Sequence, residues 1–496
     1  MRPVYTAEEI RGLERAAMTS SRGAERATEA ELIRRASWAV AHRAADLMGG
    51  TYGRRVLVAC GPGHNGADAL WAGVHLARRG AAVSACRLRP DDADGQSRDA
   101  AAALALAGGR LIDGPAPAAF DVAIDGLTGL GFAPRAGTED SRLASLAGEL
   151  RASSAVVVAV DLPSGVAADT GCAADWAVRA DVTVTFGALK IGLVVGRGAD
   201  LAGVVEVVDI GLGALPTAST RILDADDVAG MLPAVHAAST KYSRGVVGVV
   251  AGGPAYVGAA VLCAGGALRA GAGMVRLHAH PATVEVVRAR WPEVVGVELD
   301  PEAVRQDEKV DTWVVGPGLG TDDDATDVVQ AVLSSSPPVV VDADAITIVA
   351  RHPALLSGRL GATVLTPHAG EFRRLAGGSA EEIAGDPLAA ARRAAAELHA
   401  WVLLKGMRTV VASPDGDALI NPTGTPWLAT AGTGDVLAGA IGTLLAAGLR
   451  PQEAAGGAAW LHGLAARLAC GGAPLVAMDV VDWWPHAVRQ VQRQAG

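Results

Sequence analysis

Residues 430–448, TAGTGDVLAGAIGTLLAAG, put Gly432, Gly434 and Asp435 where a loop meets an apolar helical run. The first N–H groups of a helix lack intrahelical partners and carry the positive end of its dipole, so small residues there let the backbone close on an anion. A carboxylate at the same point repels a phosphate, unless its work is to take a proton from the group that attacks the phosphate. An amide cradle beside a general base is the chemistry of phosphoryl transfer to a hydroxyl. A second set of residues lies in the first half. VLVACGPGHNGADALWAGVHLARRG, residues 56–80, reads as strand, Gly-rich turn and helix, a pattern that either holds a ligand or only tightens a turn. Asp125 in AIDGLTGLGF, Asp161 and Ser164 in AVDLPSGV, and Lys190 in TFGALKIG also follow apolar runs. The carboxyl ends of parallel strands are where an open α/β sheet gathers ligand groups, although Asp125 or Ser164 alone could equally cap a helix.

Such residues need strands to carry them. RRVLVAC, AAVSACRL, FDVAIDG, AVVVAVD, DVTVTFG and VVEVVDI are short β-branched runs separated by Ala-rich helical segments, which predicts a mostly parallel sheet ending near Ile210. Residues 1–50 read as helical, with Leu32, Ile33, Ala36 and Val40 on one face. Gly, Pro, Ser and Thr before a short acidic helix place a boundary near residue 217. GVVGVVAGG, AGMVRLHA, TWVVGPG, PPVVVDADA, ATVLTPHAG, WVLLKG and TVVASPDG then repeat the alternation. The fold class is therefore two tandem α/β domains, as a length of 496 residues also favours.

Composition narrows the function classes. A net charge of −10 with no run of Lys and Arg argues against nucleic acid. No apolar segment is long and unbroken enough to span a bilayer, and the charged N-terminus lacks a signal core, so the expectation is a cytoplasmic protein without membrane contact. The five cysteines, without CxxC or CxxH spacing, read as small core residues in a reducing compartment.

The motifs GPGHNGADA, DGLTGLGF, DLPSG and TVTFGALKIG, preceded by ELIRRASWAVA, resemble the Rossmann-like N-terminal domain of the YjeF family, the NAD(P)H-hydrate epimerases, over most of residues 1–215. The resemblance implies K⁺ ligands at Asn65, Asp125 and Ser164, whose carboxylate, amide and hydroxyl oxygens suit a hard cation. It implies substrate contacts from His64, Asn65, Gly66, Ala67 and Asp68, from Gly129, Leu130, Gly131, Phe132, Ala133, Pro134 and Arg135, and from Asp161. Asp161 and Lys190 are the candidates for proton transfer. The family loop reads Gly-Asn-Asn-Gly-Gly-Asp-Gly, where this chain has His64, Ala67 and Ala69. Ala67 fits only if no positive φ is needed there.

In the second half, GPGLG (316–320), VDADA with Asp342 and Asp344, TPHAGE (366–371), LLKGMRT (403–409) and TAGTGD follow a Gly-rich strand end at Gly252, Gly253 and Gly258. Their order resembles the ribokinase-like superfamily and, within it, the ADP- or ATP-dependent NAD(P)H-hydrate dehydratases, over nearly all of residues 220–490. The resemblance implies that Ala259, Gly318, Gly320 and His368 touch the hydrated nicotinamide. It implies that Lys405, Gly406, Met407, Arg408, Thr409 and Gly434 hold the nucleotide, with Asp435 beside the reacting hydroxyl. Mg²⁺ is expected with ADP or ATP, its waters ordered by Asp342 or Asp344, either of which is equally a turn residue. The hydroxyl of the hydrate sits on C6 beside the ring nitrogen, so its phosphorylation makes a leaving group and the net reaction is dehydration.

The expectation is a bifunctional repair enzyme, with residues 1–217 equilibrating the R and S hydrates and 218–496 dehydrating the S form. Its partners are small molecules, hydrated NADH or NADPH and an adenine nucleotide, with homo-oligomer formation left open. A vitamin or sugar kinase fused to an accessory domain, and an N-terminal domain that only binds, are the rival readings.

Overall fold

Arg55–Cys60 is buried from Val56 onward on both faces of its sheet, as a parallel strand covered by helices must be. In this computed structural model, residues 1–19, 27–113, 116, 119–134 and 141–494 are described. The chain divides into two compact units, Pro3–Ala218 with Ala384–Asp386, and Met1–Arg2 with Ser219–Ile383 and Pro387–Gly496.

The first unit holds a seven-stranded sheet in the order Arg110–Ile112, Ala82–Arg87, Arg55–Cys60, Val122–Gly126, Val156–Val160, Val182–Phe186, Val204–Val208. All neighbours are parallel. The chain builds outward from Arg55–Cys60 to one side and then crosses to Val122–Gly126 on the other. At that reversal the loops after the two strands diverge and leave a crevice at their carboxyl ends. Helices Glu29–Leu47, His64–Arg78 and Gly95–Leu106 bury Val40, Leu70 and Leu104 with Val58 and Ile124. The opposite face packs Leu57 and Ala123 against Leu146, Leu150 and Trp176. One element departs from the helical expectation for the N-terminus. Arg2–Tyr5 is a strand, in which Val4 and Tyr5 pair in parallel with Leu189 and Lys190. The β-branched and aromatic pair Val4 and Tyr5 favours it, and the buried Tyr5 hydroxyl donates to the Pro216 carbonyl at 2.6 Å.

In the second unit the sheet runs Val295–Glu298, Met274–Ala279, Val246–Val250, Thr312–Val315, Val339–Val341, Thr363–Leu365, Trp401–Leu404, all parallel. It continues through the antiparallel strands Thr409–Ala412 and Ala418–Asn421 to Thr220–Ile222. Helices Val257–Ala270 and Thr433–Ala446 cross one face in close contact. A Cβ on Gly266 would lie 2.2 Å from the Val436 carbonyl oxygen, and one on Gly439 would lie 2.0 Å from that of Cys263. The Gly and Ala richness of these helices is therefore a packing requirement, since only small residues let two backbones approach so closely. Cys60, Cys86 and Cys263 are buried, whereas Cys172 and Cys470 are only partly covered, and all five are free thiols. Among the described residues no helix is long and apolar enough to cross a membrane.

Candidate active sites

The crevice of the first unit is a cavity of about 640 Å³. Of the sequence candidates, His64, Asn65, Gly66, Asp68, Gly129, Leu130, Gly131, Phe132 and Asp161 line it. The stretch expected to be a Gly-rich loop is already helical, because His64–Arg78 starts directly after the cap residue Gly63. Ala67 therefore adopts helical φ and needs no positive value. It is fully buried and does not line the cavity, although its neighbours Gly66 and Asp68 do. Ala133 and Pro134 lie outside the lining, and Arg135 falls outside the described residues.

Asn65, Asp125 and Ser164 converge at the reversal point. Ser164 donates its hydroxyl to Asp125 Oδ1 at 2.5 Å and its N–H to Oδ2 at 2.8 Å. Thr128 joins the third residue to this pair, its N–H donating to Ser164 Oγ at 2.9 Å while its carbonyl accepts from Asn65 Nδ2 at 3.2 Å. Asn65 Nδ2 also donates to the Val160 carbonyl at 2.7 Å, which commits the amide nitrogen to backbone and leaves the amide oxygen as the group able to bind a cation. Burial pushes the Asp125 carboxyl up to about 6, against the opposing bonds from Ser164 and Leu127. Among the described residues no basic side chain pairs with it. A buried carboxylate without a counter-charge is costly, so the donor set fits a bound cation.

Asp161 sits at φ +66, a left-handed conformation that a non-glycine residue adopts only when its surroundings hold it there. Its Oδ1 accepts from Lys190 Nζ at 2.5 Å, Thr185 Oγ1 at 3.0 Å and the Phe186 N–H at 3.2 Å. Lys190 Nζ also bonds Thr185 Oγ1 at 3.0 Å and the Phe186 carbonyl at 2.7 Å. Lys190 is 1% exposed and does not line the cavity. All three ammonium hydrogens of Lys190 are thus engaged, and the ammonium reaches the cavity only through Asp161, a geometry that suits positioning of that carboxylate. The cavity also takes Arg11, Glu14 and Met18 from the helix Ala7–Thr19, and Arg89. Their spacing along RGLERAAM, with Arg11, Glu14 and Met18 three and four residues apart on one helical face, was the signal available in the sequence.

In the second unit, Gly432 caps the helix Thr433–Ala446 at φ +90, a conformation that favours glycine and turns the first N–H groups outward. Asp435 lies in that first turn. Burial and then Asp342 raise its carboxyl, Lys405 opposes them, and Asp344 and Glu371 add to the rise, leaving it at about 7. Lys405 Nζ bonds Asp342 Oδ1 at 2.8 Å and lies 3.8 Å from Glu371 Oε2. A Cβ on Gly434 would stand 3.2 Å from the same Nζ. Burial pulls the Lys405 ammonium down, but Asp342, Glu371 and Asp435 outweigh it and hold its pKa above the ordinary lysine value. Lys405, Asp342, Glu371, Gly434 and Asp435 thus form one charged centre drawn from four strand or helix ends.

The neighbouring candidates take supporting places. His368 Nδ1 accepts from the N–H groups of Gly370 at 2.9 Å and Glu371 at 3.3 Å, and Glu371 accepts from the His368 N–H at 2.9 Å, a reciprocal cap on the helix Ala369–Ala376. With its side chain 57% exposed, His368 is open to a ligand rather than a core residue. Asp342, buried, also accepts from Thr366 Oγ1 at 2.7 Å, and Ala343 beside it stands at φ +49. Asp344 accepts from the Gly320 N–H at 2.9 Å and so ties down the GPGLG loop. Gly318 of that loop lies against Ala259, where a Cβ would approach the Ala259 Cβ to 2.9 Å. Gly406, Met407, Arg408 and Thr409 form the turn into the strand Thr409–Ala412. Thr409 Oγ1 closes that turn on the Gly406 carbonyl at 3.1 Å, and Arg408 Nη1 donates to the Pro422 carbonyl at 2.7 Å. Glu371 and Thr366 were visible in TPHAGE only as parts of a motif, since nothing in the linear order brings them to Lys405.

Residues 29–192 match the family described as YjeF-related protein N-terminus, and residues 247–480 match NAD(P)H-hydrate dehydratase. The bifunctional NAD(P)H-hydrate repair enzyme Nnr of Mycobacterium tuberculosis is 44% identical over 461 residues, covering 92% of this chain and 91% of the relative. That of Moorella thermoacetica is 38% identical, covering 89% and 88%. Among solved structures, the ADP/ATP-dependent NAD(P)H-hydrate dehydratase of Bacillus subtilis, co-crystallised with ATP/Mg²⁺, is 30% identical with a TM-score of 0.51, over 55% of this chain and 98% of that one. Since both matched segments recur together along nearly the whole of single relatives, the chain belongs to the bifunctional NAD(P)H-hydrate repair enzymes.

Proposed function

We propose that residues 1–217 interconvert the R and S hydrates of NADH and NADPH, and that residues 218–496 dehydrate the S form at the expense of ADP or ATP in the cytoplasm. The observation that carries the second activity is Asp435, a carboxyl with a pKa of about 7 at the open start of a helix, beside Lys405. A base with a pKa near the working pH is both available and strong enough to take the C6 hydroxyl proton. The N–H groups of Thr433, Gly434 and Asp435 stabilise charge on the transferred phosphoryl, with Lys405 alongside. Nitrogen lone-pair push then expels phosphate and restores the reduced ring. Substrate contacts are assigned to Ala259, Gly318, Gly320 and His368, and nucleotide contacts to Lys405 through Thr409 and Gly434. The Bacillus relative crystallised with ATP/Mg²⁺ supports Mg²⁺ with the nucleotide, where the ion would neutralise phosphate charge, and Asp342 or Asp344 would order its waters.

In the first activity the buried, uncompensated Asp125 supports K⁺ held with Asn65 and Ser164, which would order the loop after Val122–Gly126 around the substrate. The test offers full-length protein hydrated NADH and ADP, with the absorbance of reduced nicotinamide as readout. Pure S hydrate should recover it without delay, and R hydrate should recover it through prior epimerisation. Failure to recover it from S hydrate, with phosphorylation of a vitamin alcohol instead, would return the chain to the kinase reading.

A further inference from the structure

Four carboxyl groups line the cavity of the first unit: Glu14 from Ala7–Thr19, Glu29 at the start of Glu29–Leu47, half exposed beside His64, Asp68 from the second turn of His64–Arg78, and Asp161 after Val156–Val160. They keep different electrostatic company. Asp161 has an ammonium at 2.5 Å and two further donors on one oxygen, which fix its carboxylate in place. Asp68 has neither. It is 7% exposed, its Oδ1 is buried without a hydrogen-bond partner, and among the described residues no basic side chain pairs with it. A buried carboxyl in that position keeps its proton, because ionising it would strand an unsolvated charge. Burial, then Asp161 and Glu14, accordingly hold its pKa well above the ordinary carboxylate range.

A neutral acid and a fixed carboxylate in one cavity are a matched acid and base. Given the epimerase reading above, on which this inference rests, we propose that Asp68 is the acid of the epimerisation and donates its proton to the departing C6 hydroxyl, while Asp161 is the base. The C6–O bond breaks and its electron pair leaves with oxygen as water, and the ring nitrogen lone pair forms an iminium with C6. Water adds to C6 from the opposite face, the iminium electrons return to nitrogen, and the added water gives its extra proton to Asp161. Return of that proton to Asp68 through solvent restores the starting state. No oxidant or further reactant enters.

The test uses the full-length protein and its own dehydratase as reporter, with ADP in excess. Recovery of absorbance from R hydrate reads epimerisation, and recovery from S hydrate reads dehydration. Asp68→Asn should lower kcat from R hydrate at least about 100-fold, the usual worth of a general acid, with KM within about threefold and the S-hydrate rate unchanged. Glu14→Gln should lower the epimerase rate much less than Asp68→Asn does. In water enriched in the heavy oxygen isotope, the S hydrate that wild type forms from R should carry the label at C6. An Asp68→Asn protein with wild-type kcat, a loss confined to KM, a loss in Glu14→Gln instead, or unlabelled S product would each overturn the proposal. Asparagine matches the volume of a carboxyl that makes no bond through Oδ1, so the variant should melt with the wild type. A variant that fails to fold would show a structural carboxyl and overturn it too. If wild type dehydrates S hydrate but leaves R unchanged, the epimerase reading itself falls, whereas a wild type that epimerises and an Asp68→Asn that matches it remove only the proposal.

Discussion

Replacing Asp435 by asparagine should move activity and stability in opposite directions. Its carboxyl stands at about 7 against an ordinary 3.8, a rise of about three units, caused first by burial and then by Asp342. At 1.36 kcal/mol per unit this is a differential of about 4 kcal/mol between the protonated and ionised forms. The sign follows from linkage: the folded pKa lies above the unfolded one, so the fold is favoured at low pH, and that advantage is lost as pH rises from about 3.8 through about 7. At pH of about 8 the wild type bears the whole penalty, and Asp435→Asn, which never ionises, should be more stable by up to about 4 kcal/mol, the difference shrinking toward zero near pH of about 4. The base is meanwhile gone, and S-hydrate dehydration should fall by about two to four orders of magnitude with epimerisation intact. In the wild type kcat/KM should climb about tenfold per pH unit up to roughly 7 and then level off. Chemical unfolding at the two pH values and recovery of reduced-nicotinamide absorbance supply the two readouts. A variant with wild-type rate refutes the base assignment. One that loses both rate and stability at high pH shows that Asp435 holds the helix start rather than a proton.

Exchanging K⁺ for Li⁺, or changing Asp125→Asn, should slow R-to-S conversion and leave dehydration of pure S hydrate untouched; equal epimerase rates in both salts would reduce Asn65, Asp125 and Ser164 to packing and capping. Lys190→Met strands the Asp161 charge in a buried site and should destabilise the first unit by about 3–5 kcal/mol while abolishing epimerisation, and an unchanged melt would refute the positioning role. His462, buried with Nε2–H donating to the Thr433 carbonyl at 2.9 Å, has its pKa lowered to about 4 by burial. The unfolded chain therefore takes up the proton first, and stability drains away as pH falls from the ordinary 6.5 toward 4. The pH–stability curves of wild type and His462→Gln should differ by about 3 kcal/mol across that window, whereas parallel curves would mean that the imidazole is solvated.

The alternation of β-branched runs with Ala-rich helices, and the Gly-rich or acidic residues placed just after those runs, determine the α/β class and point at the strand ends from the sequence alone. That much is local, because a parallel sheet covered on both faces demands continuous apolar strands, and its ligand groups collect where the strands stop. TAGTGD was legible for the same reason, since a helix start carries its unpaired N–H groups whatever surrounds it. The strand Arg2–Tyr5 was not, since its partner Leu189–Lys190 lies far along the chain and a charged helical run follows it directly. Nor was the fate of Lys190, whose three bonds come from a turn that folds back on Asp161, or the company of Glu14, Asp68 and Asp161 around one cavity. The same holds for Asp435. Its residue type and its place at a helix start are written in the sequence, but a pKa of about 7 arises from burial and from Asp342, Lys405, Asp344 and Glu371, brought in by separate strand and helix ends. Desolvation and Coulomb interaction depend on distance through space, and only the folded chain sets those distances.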